Sequence, residues 1–145
     1  TEFGLEESTF NIELTEKALL SGDENTLNTL EKLKRLKVHT HLDDFGTGYS
    51  SLSYLHRFPI HTIKIDRSFV SRMENGRRDK DIVESIILLA QKQNIEVIAE
   101  GIETKEQFKL VKELHCTAAQ GYYFSRPLSA NEATLLLEKN KVWSI

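Results

Sequence analysis

Two hydrophobic periods alternate along the chain. Short β-type runs fall at Phe10–Leu14 (FNIEL), Val38–Asp43 (VHTHLD), His61–Asp66 (HTIKID), Glu96–Gly101 (EVIAEG) and Gln120–Ser125 (QGYYFS). Between them, apolar residues recur every three or four positions, the spacing of a helix with one buried face. Asp23–Lys37 carries Leu27, Leu30, Leu33 and Leu36, and ends in basic residues that suit the negative end of a helix dipole. Asp81–Gln93 carries Ile82, Val83, Ile86, Ile87 and Ala90, with Asn94 as its C-terminal stop. Thr104 with Gln107, and Ser129 with Glu132, read as capping boxes. They open helices carrying Phe108, Val111 and Leu114 in one case and Leu135 to Leu137 in the other. The run SSLSYLHRF predicts a short helix that Pro59 ends.

Strands alternating with helices predict an α/β fold with a parallel sheet and right-handed crossovers. The chain holds about five βα units, and no linker or low-complexity stretch divides it. An open doubly wound sheet fits this count. So does part of a TIM-type (β/α)8 barrel, which needs ~250 residues when complete.

Strands covered on both faces should be almost wholly apolar, yet most of these carry a charge or an amide. Alternation puts Glu13 opposite Phe10, Ile12 and Leu14, and Lys64 opposite Ile63 and Ile65. Glu100 ends one apolar run, Asp43 and Asp44 end another, and Gln120 begins the aromatic one. A lone buried charge is very costly, so these groups must meet one another, a metal or water. Ligand chemistry in parallel α/β folds gathers at the C-terminal ends of strands, where Glu13, Asp43, Asp44, Lys64 and Glu100 can converge. Four carboxylates and a lysine on one rim suit hard divalent cations such as Mg²⁺ or Mn²⁺, and a metal pair suits phosphate-ester hydrolysis. The alternative for any single acid is a helix cap or a surface ion pair.

Composition narrows the class. With 145 residues, 39% hydrophobic content and a net charge of -3, the chain suits one globular domain. That charge gives no reason to expect DNA, RNA or an anionic membrane as partner. Runs such as SIILLA are too short to span a bilayer. The lone Cys116 cannot form an internal disulfide, so a cytoplasmic setting is expected. The chain opens on Thr1 rather than Met, which suits a piece of a longer protein.

Other candidates are weaker. Gly46 and Gly48 precede a short helix whose N-terminus could cradle a phosphate, although a plain turn explains a bare G-x-G as well. His39 and His41 share a strand face and read as a packed or surface pair; His56, His61 and His115 show no partner pattern. Tyr49, Tyr122 and Tyr123 could stack on a base, or simply pack. Cys116 lacks triad-like neighbours and reads as a buried thiol.

DDFGTGYSSL, then KIDRSFV, then AEGIET, then QGYYFSRPL, with IELTE upstream, resembles the EAL-domain family from about Phe10 to about Leu137. The resemblance implies a variant TIM barrel that hydrolyses cyclic di-GMP to linear pGpG with two Mg²⁺ or Mn²⁺ ions. It implies Glu13 and Asp43 as metal ligands, with Asp43 bridging and Asp44 serving the second ion. Lys64 would hold the attacking water or the scissile phosphate. Glu100 would act at the second metal or as proton acceptor, Glu103 would brace the DDFGTG loop at a dimer interface, and Gln120 would line the pocket. The early strands of the family, including the Glu-Ala-Leu that names it, have no counterpart here, so residues 1–145 resemble the C-terminal portion and the ligand set is incomplete. Two expectations follow: a portion of a cyclic di-GMP phosphodiesterase, pairing with itself or attached to a sensor or diguanylate cyclase domain, or a shortened, inactive module that binds the dinucleotide or a protein. An unrelated βα domain with structural acids would not explain the ordered motifs.

Overall fold

A computed structural model describes residues 9–20, 23–47, 53–74, 76–139 and 142–143. Gly48 and Tyr49 lie outside these residues. The elements run β1 (Asn11–Thr15), α1 (Glu16–Leu20), α2 (Glu24–Arg35), β2 (His39–Phe45), α3 (Ser53–Arg57) and β3 (Thr62–Ile65). They continue as α4 (Arg67–Arg72), α5 (Arg77–Lys92), β4 (Glu96–Ala99), α6 (Lys105–Glu113), β5 (Ala118–Ala119) and α7 (Ala130–Glu138). All neighbouring strands pair in parallel, in the order β1-β2-β3-β4-β5. A doubly wound sheet reverses its strand order part-way. This one does not, and the sequential order is that of a partial barrel.

The helices form where local chemistry dictates. Asp23 caps α2 by accepting from the Thr26 amide at 2.9 Å. α5 buries Val83, Ile86, Ile87 and Ala90 and stops at Asn94, whose φ of 56° is left-handed. Both expected capping boxes are present, Thr104–Gln107 on α6 and Ser129–Glu132 on α7. One strand face carries Leu42, Ile63, Ile65, Val97 and Ala99, all buried in the core with the α5 residues. Glu13, Asp43 and Lys64 alternate with those positions and share the other face.

Three expectations change. The QGYYFS run is not a strand: β5 is only Ala118–Ala119, and a turn carries the aromatics. Gly121 forces that break, because its φ is 157° and a Cβ there would stand 2.1 Å from the Ile102 carbonyl oxygen. The helices α1 and α4 are additions: at five and six residues they show little of a helical period, and they lack the proline stop that marks α3. β2 runs on through both aspartates to Phe45.

Candidate active site

The strand ends bring Lys64 between three carboxylates. Its Nζ lies 2.8 Å from Glu13 Oε1, 3.1 Å from Asp43 Oδ1 and 2.9 Å from Glu100 Oε1. β1, β2 and β3 each contribute one of these groups, and Glu100 follows the last residue of β4. The lysine side chain is 7% exposed, whereas that of Glu13 is 51% exposed. Burial alone would lower the Lys64 pKa, but hydrogen bonds to Glu13, Glu100 and Asp43 outweigh it and hold the ammonium above the usual lysine range. Burial raises the Glu100 pKa, against the pull of Lys64.

Alternation would place Asp43 and Asp44 on opposite faces. The β2–β3 register instead shifts between Leu42 and Phe45, and Asp44 adopts a φ of 54°. Such a bulge re-aims a side chain at a sheet rim. As a result Asp43, Asp44 and Glu100 each present a carboxylate oxygen within 4.8 Å of the others. Glu13 is not in that group and joins it through Lys64. The set fits a hard divalent cation: all donors are carboxylate oxygens. Moreover, Asp43 Oδ1 is buried, and the Lys64 ammonium at 3.1 Å is the charge set against it.

Beside the cluster opens a cleft of about 530 Å³ bordered by Asp44, Glu100, Glu103, Gln120, Arg67 and Tyr122. Gln120 donates from Nε2 to Glu100 Oε1 at 2.8 Å, fixing that carboxylate. Gly101 also lines the cleft; its φ is 70° and its Cα packs against Arg67, where a Cβ would fall 2.4 Å from the Arg67 Cβ. The backbone amide of Glu103 donates to Gln107 Oε1 at 2.7 Å.

Glu16 escaped the sequence reading. It opens α1, is 3% exposed, and its Oε2 accepts from the Gly46 amide at 3.2 Å. Its Oε1 has no hydrogen-bond partner. Through Oε2, Glu16 holds the backbone at Gly46, just after the two aspartates, while Glu103 lines the cleft. The only signal was the second glutamate of IELTE, three residues after Glu13. Of the remaining candidates, only Tyr122 reaches the cleft among the described residues. His39 stacks on His61 at 4.6 Å. Tyr123 packs with Phe108 and Phe124, while Tyr122 is half exposed at the cleft under Arg126. The Cys116 thiol donates to the Ala118 and Val97 carbonyl oxygens, and burial pushes its pKa up.

Comparison with known proteins decides the family. The EAL domain matches residues 2–127. The chain belongs to the EAL domain family. A curated relative, the cyclic di-GMP phosphodiesterase NbdA of Pseudomonas aeruginosa, is 46% identical over 125 residues, covering 86% of this chain and 16% of NbdA. The EAL domain of Mycobacterium smegmatis DcpA superposes with a TM-score of 0.90 at 39% identity, covering 97% of this chain and 63% of that one. The manganese and cyclic di-GMP complex of Klebsiella pneumoniae BlrP1 gives a TM-score of 0.80 at 33% identity, covering 86% of this chain and 32% of that one. This EAL chain thus spans about one sixth of NbdA. No helix among its described residues is long and apolar enough to cross a membrane.

Proposed function

We propose that this chain is the C-terminal portion of a phosphodiesterase domain that opens one phosphodiester bond of cyclic di-GMP to give pGpG. The observation that carries the reading is the Asp43–Asp44–Glu100 cluster, held by a buried Lys64 at the border of a cleft of about 530 Å³. The relatives that bind or cleave cyclic di-GMP support the choice of substrate. Asp43, Asp44, Glu100 and Glu13 would hold two divalent ions, Mg²⁺ or Mn²⁺. Such ions would neutralise charge on the phosphodiester and polarise the attacking water.

The protein's own groups have separable parts. Lys64 would orient the attacking water or a phosphate oxygen through its fixed ammonium. Glu100, with its raised pKa, is suited to take a proton as the water attacks. Gln120 would keep Glu100 aimed, and Tyr122 would offer a face to a guanine. Glu16 would hold the turn after Asp44, and Glu103, in the cleft lining, would brace the same loop. A groove lined by Phe45, Phe69, Ile82, Ile86 and Leu89 runs beside Gly46, and its apolar character suits a second copy of the chain.

These strands supply only part of the ligand set that the family implies. Release of pGpG in Mg²⁺ tests the reading, measured on the chain alone and joined to the early-strand half of an EAL domain. Weak or no turnover is expected alone and clear turnover when joined, lost in Asp43→Ala. Turnover of the joined form that survives Asp43→Ala would rule the mechanism out. Binding of cyclic di-GMP by the joined form without turnover would favour a second reading, an inactive binding module.

A further inference from the structure

The other end of the same two strands carries a histidine whose role the active site does not explain. In a parallel sheet the N–H and C=O of one residue face the same neighbouring strand. Thr40 shows its C=O to β3, where it accepts from the His61 amide at 2.9 Å. Its own N–H therefore faces β3 too, at a level where β3 has not begun, since that strand starts at Thr62. The acceptor it finds is the His61 side chain, with Thr40 N to His61 Nδ1 at 3.1 Å. The His61 carbonyl in turn accepts from the Glu96 amide at 3.0 Å, so this one residue ties β2, β3 and β4 together where they start. Thr40 is 1% exposed, and water cannot replace the lost acceptor.

We propose that His61 is a proton-sensitive latch on the β2–β3 seam. In the neutral form, with its proton on Nε2, Nδ1 stands in for the strand carbonyl that Thr40 lacks. A proton on Nδ1 turns that hydrogen bond into two donors facing each other and leaves a buried amide unpaired. The surroundings disfavour the added charge. The His39 ring lies 4.6 Å away and nearly parallel, at 13°. Lys34 approaches from α2 and His41 from β2, and among the described residues Glu96 from β4 is the opposing charge. Burial first, then His39, Lys34 and His41, already hold the His61 pKa below the usual imidazole value. Asp43 and Lys64 stand three residues further along the same strands, so loosening the seam acts on the pair that orders the site. The latch is independent of what that site binds.

The sign follows from linkage. A depressed native pKa gives stability that is present above the unfolded value of about 6.5 and lost as pH falls through the native value. The test follows the His61 imidazole nitrogens and the Thr40 amide by NMR from about pH 8 to about pH 5, together with urea unfolding across that range. His61 is expected to titrate below about 6.5, and the Thr40 amide to move in the same step. The unfolding constant should rise up to about tenfold per pH unit in that window, relative to His61→Asn, whose amide oxygen can accept without titrating. A His61 that titrates at or above the usual value, a Thr40 amide that does not follow it, or a His61→Asn chain with the wild-type acid response would overturn the proposal. If that variant does not fold, the wild-type NMR titration decides alone.

Discussion

Lys64 already performs, within the chain, the neutralisation that cations would perform in a loaded site. Three carboxylates close on its ammonium, which is buried, and a fourth, Asp44, stands in the adjoining cluster. Removing one partner of a buried ion pair leaves uncompensated charge. Lys64→Met should therefore lower stability in urea by about 3 kcal/mol, and millimolar Mg²⁺ should recover part of the loss by supplying charge to the same oxygens. Equal losses with and without Mg²⁺ would show that the carboxylates do not gather a cation. Glu13→Gln removes a half-exposed partner instead, and its effect should be at most about 1 kcal/mol. At this scale much was legible. Period-two alternation put Glu13 and Lys64 on the site face without any structure. Alternation does not explain how Asp44 reaches the rim where the strand-end reading put it, because only a bulge brings neighbouring residues to one rim, and a bulge leaves no periodic trace. It passed over Glu16 and His61, whose roles rest on partners 30 and 21 residues away.

The elements that sequence showed best were those fixed by local chemistry. Each capping box is four consecutive residues satisfying one another, and both formed as read. The Thr104 hydroxyl takes the Gln107 amide at 3.1 Å and also bonds Glu74, so Thr104→Ala should lower stability by about 1 kcal/mol in chemical denaturation. A loss indistinguishable from zero would mean that Gln107, itself buried, holds the start of α6 without its partner. The aromatic run after Gln120 failed as a strand for a non-local reason. QGYYFS has strand composition, but the Ile102 amide donates to the Gln120 carbonyl and the Tyr123 amide donates to the Ile102 carbonyl, which wraps the segment around that one residue. Only glycine fits at 121 in that wrap. Gly121→Ala should cost more than about 1 kcal/mol in stability, and, under the proposed function, it should also weaken cyclic di-GMP binding, because the same turn sets Tyr122 and Arg126 along the cleft. Normal stability with normal binding in that variant would show that the turn can relax.

At the scale of the whole chain, the sheet formed by the described residues is open. The strand count came from sequence, but their sequential order did not, because order is set by how helices cross over the sheet rather than by any local pattern. A closed eight-stranded barrel has no edges. Here β1 and β5 each pair on one side only among the described residues. The flanks of the open sheet are apolar as well. Ile12 and Leu14 of β1 line a groove with Leu30 and Leu33 of α2. α7, the last described helix, exposes Leu135 at 56% and Leu137 at 75%. An unpaired edge and exposed leucines are each a template for another chain. The isolated chain should therefore associate in a concentration-dependent way in sedimentation velocity. Leu135→Glu with Leu137→Glu should shift the distribution toward monomer without changing the far-ultraviolet circular dichroism, since neither side chain is part of the core. A chain that sediments as a monomer at every concentration would mean that its own edges do not pair. A variant that associates as the wild type does would move the contact to β1 or to the groove beside Gly46.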